Sequence, residues 1–216
     1  MARGKLIVLE GLDRAGKSTQ CSKLVERLSS TGQKVKHVKF PDRTTPIGTM
    51  IDNYLRGENQ QEDHVIHLLF SANRWEAAAS IEEAVSSGTS VVVDRYIYSG
   101  CVYSAAKQNP TLSLRWARHP EEGLPRPDIC IFLELTPEEA AKRGGWGEER
   151  YEKKELQDRV RQLFMEMKST PDGEDFVTVD AGRSFDDVEC SIWNAVEAAC
   201  NKVDEQNLPL RRIQRV

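Results

Sequence analysis

Cysteine, long apolar runs and an excess of basic charge are all scarce here, and each scarcity removes a class of protein. The 216 residues hold five cysteines, Cys21, Cys101, Cys130, Cys190 and Cys200, scattered and without a C-x-x-C pair. Neither a zinc site nor a disulfide framework fits that spacing, so reduced thiols in an intracellular protein are expected. No apolar stretch approaches the about 20 residues that span a bilayer. The strand-like Leu6-Ile7-Val8-Leu9 opens so close to Met1 that no signal or transit peptide is expected. With 30 Lys+Arg against 34 Asp+Glu, the net charge is −4, which argues against a surface made for duplex DNA or RNA. A small anionic ligand stays open, because a pocket can be cationic inside an acidic protein.

What is present is the composition of a soluble globular chain, 39% hydrophobic and 30% charged, without internal repeats. Short Val- and Ile-rich runs at 5–10, 34–40, 90–94, 128–134 and 176–180 read as strands. Between them, helical periodicity covers 17–29, 47–56, 62–86, 96–107, 137–143, 151–168 and 185–204. Near-continuous apolar strands separated by helices predict an α/β fold, a parallel sheet covered on both faces. Gly32 and Gly88 follow helical runs, as C-caps do. Segment 108–128 carries Pro110, Pro120, Pro125 and Pro127 and reads as a loop-rich crossover with a short helix near 113–118. We expect one domain over 1–204 and a tail, 205–216, whose end frays.

Gly11-Leu12-Asp13-Arg14-Ala15-Gly16-Lys17-Ser18 matches G-x-x-x-x-G-K-[ST] directly after the first strand and at the start of the first helix. Its glycines let successive backbone N–H groups wrap phosphate oxygens, and the helix N-terminus adds a positive dipole end. Lys17 then reaches the β/γ-phosphates of a nucleoside triphosphate, and Ser18 ligates Mg²⁺. Asn201-Lys202-Val203-Asp204 spells the N-K-x-D of GTP-binding switches, but it closes a helical run where that motif should follow a strand. His64 and His67 could share a helix face, yet no carboxylate lies at metal-site spacing.

A phosphate acceptor needs cations too. Asp94-Arg95 ends the third strand and Phe40-Pro41-Asp42-Arg43 the second, at the carboxyl edge where α/β ligands bind. Phe70 and Arg74, four apart on a helical stretch, can stack on and hydrogen-bond a base, although taken alone core packing is the favoured reading of Phe70.

Along residues 4 to about 193 the chain resembles the thymidylate kinases of the eukaryotic type. The stretches that carry the resemblance are 11–19, 40–43, 67–75 (with Leu68-Leu69-Phe70-Ser71-Ala72-Asn73-Arg74-Trp75), 94–106, 123–128 and 143–152. It implies a P-loop nucleoside monophosphate kinase: a three-layer sandwich, five parallel strands in order 2-3-1-4-5, and a lid at about 143–152. ATP, bound by Gly11, Asp13, Arg14, Ala15, Gly16, Lys17, Ser18 and Thr19 with Mg²⁺ on Ser18 and Asp94, would phosphorylate dTMP. Arg43 and Arg95 would hold the acceptor phosphate beside Phe40, Phe70 would stack on thymine, and Arg74 would donate to its O4. Ser99 and Gly100 would border the base, and Tyr103 would crowd the 2′ position. Asp13 would meet the 3′-hydroxyl, with Tyr151 and Gln157 closing the sugar side. Arg143 and Arg183 would flank adenine. Arg14 in the P-loop marks the eukaryotic pattern and, with Lys17, Asp94 and Arg95, belongs to the catalytic set. Family members pair as homodimers through helices beside the substrate site, and the expected location is cytoplasmic, with the nucleus as a second one. The lid tip Gly144-Gly145-Trp146-Gly147 departs from relatives, which more often carry Phe there, and segments 108–114 and beyond about 201 contribute no carried-over residue. A kinase for another nucleoside monophosphate, and a GTP-binding switch, remain alternatives at this point.

Overall fold

In the computed structural model, which describes residues 2–143, 150, 151 and 153–215, alternation of apolar side chains sorts the core into two layers. On β1 (Leu6–Gly11), Leu6 and Val8 face one side with Val91, Val93, Cys130 and Phe132. Ile7 and Leu9 face the other with Val92, Ile131 and Leu133. The period of two thus gives a central strand two buried faces, which is why it reads as an unbroken apolar run. The sheet comprises β2 (Val35–Lys39), β3 (Ser90–Asp94), β1, β4 (Ile129–Glu134) and β5 (Phe176–Asp180) in that order, all pairs parallel. Order 2-3-1-4-5 is therefore as expected.

Helices α1 (Lys17–Ser30) and α8 (Phe185–Glu205) cover the Ile7 face through Cys21, Leu24, Leu28, Val188, Ile192 and Val196. The opposite face is covered by α3 (Asp63–Ser86), α4 (Ile97–Ala105) and α7 (Lys154–Lys168), with Ile81, Val102 and Phe164 in the core. Helix α2 (Pro46–Leu55) packs Ile51, Tyr54 and Leu55 against Ile66 of α3 as a smaller cluster beside the sheet edge. The crossover holds the short α5 (Leu114–Arg118), capped by Ser113 accepting from the Trp116 N–H, and then a 3₁₀ turn, His119–Glu121. Helix α6 (Pro137–Lys142) follows β4 with a Thr136/Glu139 capping box. Gly32 and Gly88 both have positive φ just past α1 and α3, as predicted. Among the described residues no helix is long and apolar enough to cross a membrane.

Two expectations need correction. Helix α4 begins at Ile97, not Tyr96, because Arg95 takes a left-handed φ of 64° and Tyr96 is extended. The tail is not frayed: Ile213 is 2% exposed, and its N–H and C=O bond Leu124 O and Gly123 N, each at 2.9 Å. Buried apolar area and paired backbone groups overcome the entropy that frays most termini. The N-K-x-D tetrapeptide closes α8, where Asp204 accepts from Lys5 Nζ at 2.5 Å.

Candidate active site

Strand β1 delivers its last residues to the carboxyl edge of the sheet, between β3 and β4, and the chain turns there into α1. Gly11 has a φ of 144°, and a Cβ on it would lie 2.5 Å from Leu133 O of β4, so only glycine fits. Arg14 and Gly16 also take positive φ, 69° and 89°, and curl the loop into the start of α1. Lys17 is buried beneath it, its Nζ donating to Leu12 O at 2.6 Å. Burial, then the nearby Arg95 guanidinium, pull the Lys17 amine down to about 8, against the opposing pull of Asp13 and Asp94. Ser18 Oγ donates to Asp94 Oδ2 at 2.5 Å, joining the first turn of α1 to the end of β3.

Asp13 collects donors. Arg95 Nη2 pairs with its Oδ1, while Tyr103 OH and Gln157 Nε2 reach Oδ2 at 3.1 and 2.7 Å. Burial alone would raise this carboxyl, but Arg95, Lys17 and the two hydrogen bonds hold it below its ordinary value. Gln157 also donates to Tyr151 O at 3.1 Å, and the Tyr103 and Tyr151 rings lie 5.6 Å apart. Arg95 Nη1 reaches Ser99 Oγ at 3.1 Å, and that hydroxyl donates to Glu10 Oε2 at 2.5 Å.

Most of these groups line a cleft of about 470 Å³; Glu10, Gly11, Ala15 and Gln157 are not among its lining residues. P-loop residues Asp13, Arg14, Gly16, Lys17, Ser18 and Thr19 line it, as do Phe40, Arg43, Phe70, Arg74, Arg95 and Ser99 from the strand ends, α3 and α4. Gly100, Tyr103, Asp94, Arg143 and Tyr151 line it as well. Arg43 Nη1 pairs with Asp52 Oδ1 of α2 at 2.7 Å. Arg143 bridges the P-loop and the end of β5, donating to Arg14 O at 2.9 Å and Ala181 O at 2.6 Å. Phe70 belongs to both readings, packed on the α2 cluster and facing the cleft. Arg183 is exposed, 3.5 Å from Asp187, and is not among the lining residues. The lid tip, Gly144 to Gly147, lies outside the described residues, as do most of 143–152.

Sequence reasoning passed over Glu10, Glu121 and Lys39. Glu10 is a carboxylate buried at the end of an apolar strand, and that misfit of charge in a core run was its available signal. Its Oε1 accepts from the Tyr96 and Ser99 N–H groups at 2.8 and 3.0 Å; burial raises its pKa, with Ser99 and Arg95 opposing. Lys39 lines the cleft with Nζ 4.0 Å from Asp94 Oδ2. Glu121, paired with Arg74, lies in a proline-rich segment without periodicity and carried no signal at all.

The family model for thymidylate kinase matches residues 9–192. Thymidylate kinase of Schizosaccharomyces pombe is 50% identical over 196 residues, covering 90% of this chain and 92% of the relative. The Homo sapiens thymidylate kinase is 46% identical over 207 residues, with 95% and 96% covered. Among solved structures, thymidylate kinase from Candida albicans is similar at a TM-score of 0.84 and 42% identity, covering 93% of this chain and 94% of that one. The match spans nearly the whole chain at high identity, so the chain belongs to the thymidylate kinase family and transfers a phosphoryl group from ATP to dTMP, giving dTDP.

Proposed function

We propose that this transfer works by positioning and charge, without a strong general base. The observation that carries the reading is convergence: Lys17, Ser18, Arg43, Asp94 and Arg95, from three separate segments of the chain, line one cleft. The acceptor is a phosphate monoester, largely dianionic near pH 7 because its second pKa is about 6. One of its oxygens forms the new bond to the γ-phosphorus as the bond to the β,γ-bridging oxygen breaks, and ADP leaves. No proton needs removal, which agrees with Asp13 being engaged by three donors and Asp94 by Ser18.

Two anionic phosphates must be brought together, and the cations offset that repulsion. The P-loop amides and Lys17 hold the donor's phosphates, Arg14 stabilises the transferring group, and Arg43 and Arg95 hold the acceptor phosphate. Phe70 stacks on thymine, Arg74 donates to O4, Ser99 and Gly100 border the ring, and Phe40 lies beside the acceptor phosphate. Tyr103, Asp13, Tyr151 and Gln157 enclose the sugar, and Arg143 with Arg183 flanks adenine beyond the P-loop. The Ser18 hydroxyl and Asp94 carboxylate are adjacent hard-oxygen donors, the chemistry that suits Mg²⁺, and they would hold it together with the triphosphate. When bound, the ion supplies charge neutralisation on the β- and γ-phosphates.

The working unit in this reading is a homodimer of single-domain chains, domain 1–204 with a lid at 143–152, in the cytoplasm and the nucleus. Cysteines that are scattered, odd in number and without a C-x-x-C pair support a reducing compartment. Kinetics of two variants test the assignments. Arg14→Ala should lower turnover about 10³-fold, the size seen for other transition-state arginines, and a loss below about tenfold removes it from that role. Arg95→Ala should chiefly raise the dTMP KM, and an unchanged KM counts against its place on the acceptor phosphate.

A further inference from the structure

Arg74 lies on α3, buried together with Glu121 of the crossover. The pair is bidentate: Nε donates to Oε2 at 2.8 Å and Nη2 to Oε1 at 2.5 Å. Glu121 thereby takes one N–H each from Nε and Nη2, leaving Arg74 both N–H groups of Nη1 and one of Nη2 for a ligand in the cleft it lines. Gly100 of α4 makes room for this arrangement, since a Cβ there would fall 2.5 Å from Nη2 and 2.9 Å from Nη1.

Glu121 is held in turn from two directions. The carbonyl of Pro120, its neighbour, accepts from Ser71 Oγ at 3.1 Å and Trp75 Nε1 at 2.8 Å, both on α3. From the far side the docked tail pairs with residues 123–126: Gly123 N–H to Ile213 O, Ile213 N–H to Leu124 O, and Arg126 N–H to Arg211 O, at 2.9, 2.9 and 2.8 Å. Arg212 Nη1 donates to Gly123 O at 2.7 Å, and the same nitrogen lies 2.8 Å from Glu82 Oε1 of α3.

We propose that Glu121 is the positioning residue for Arg74, and that the tail segment 210–215 holds Glu121 where it must be, so that a part of the chain far from the cleft contributes to base selection. A guanidinium only donates, so a locked Nη1 welcomes a ring carbonyl and opposes an exocyclic amine at the same place. The pair therefore favours a thymine-like base over a cytosine-like one. This rests on the reading of Arg74 as the donor to thymine O4.

The test is steady-state kinetics with dTMP and dCMP as acceptors at saturating ATP. Glu121→Gln should raise the dTMP KM at least about tenfold, leave kcat within about threefold, and narrow the dTMP:dCMP ratio of kcat/KM by about tenfold or more. Glu121→Asp, which keeps the charge and shortens the reach, should fall between that variant and the wild type, and it stands in if Glu121→Gln fails to fold. The tail variant Arg212→Ala with Ile213→Ala should raise the dTMP KM about threefold while the ATP KM holds. If Arg74→Ala leaves dTMP KM and selectivity unchanged, the reading of Arg74 itself fails. If Arg74→Ala is impaired but both Glu121 variants behave as wild type, the positioning proposal alone is overturned. A fall in kcat for both acceptors without a shift in KM or selectivity also overturns it, since that is how a merely structural residue behaves. Wild-type kinetics in the tail variant remove the tail from the chain of contacts.

Discussion

Lys17, at the P-loop end of α1, has its amine buried and its pKa lowered to about 8, chiefly because burial disfavours the charged form. The unfolded chain keeps the ordinary value, so between pH 8 and 10.5 the unfolded state binds more protons, and this group favours folding increasingly as pH rises through that window. Ligand binding reverses the local balance. A triphosphate beside Lys17 restores the charged form, so ATP binding at pH 8.5 should take up well over half a proton. Calorimetry in two buffers of different ionisation enthalpy measures that uptake, and Lys17→Arg should abolish it because arginine stays charged. Zero uptake in the wild type would mean the amine is already charged before ATP arrives. Glu10 shows the complementary device at the same edge. Its carboxylate accepts two backbone N–H groups at the start of α4 and orients Ser99, which in turn touches Arg95.

Helices here are joined by polar stitches as well as by packing. His67 on α3 accepts at Nδ1 from Ser104 Oγ of α4 at 2.8 Å and donates from Nε2 to Ala117 O of α5 at 2.9 Å. That arrangement needs a neutral ring, and burial lowers its pKa to about 4. The sign follows from the depressed value. An unfolded His binds its proton as pH falls through 6.5 while the folded one resists until about 4, so stability is lost on acidification across that window. The loss reaches roughly 3 kcal/mol for a shift of this size. Urea denaturation of wild type and His67→Gln between pH 7 and 4 checks it: the difference in unfolding free energy should change by about that amount, and parallel curves would show that the ring titrates normally. The stitch also braces α4, the element that carries Ser99, Gly100 and Tyr103 to the cleft.

At the scale of the whole molecule, α3 works on two sides. Phe70 and Arg74 face the cleft, while Val65, Leu68 and Trp75 are 44%, 47% and 42% exposed. With the half-buried Ala72, these positions recur at spacings of three and four and form an apolar stripe on one helix face. A stripe of that kind suits a second copy of the same helix, which supports the homodimer reading. Leu68→Glu should halve the particle mass in analytical ultracentrifugation and raise the dTMP KM, because Phe70 and Arg74 on the same helix line the cleft. A dimer that persists in Leu68→Glu at micromolar concentration would move the interface elsewhere.

Local chemistry made much of this protein legible without coordinates. An apolar run, two glycines, a lysine and a serine in fixed order can only make a strand, an anion-wrapping turn and a helix start, so the P-loop and the parallel sheet followed from sequence alone. Strand ends at Asp94-Arg95 and Phe40–Arg43 were readable for a similar reason: charged residues that follow a strand-like run lie at the carboxyl edge of a parallel sheet. What tertiary structure decided is which of these groups hold one another. Asp13 meets Gln157 across 144 positions, Arg74 meets Glu121 across 47, and Arg3 meets Asp128 across 125. No period or spacing records such encounters, because each depends on the stacking of helices over a sheet. The docking of Ile213 belongs to the same class: its flanking sequence looks like a solvated arginine-rich end, and only the groove beside Gly123 and Leu124 gives its backbone groups partners.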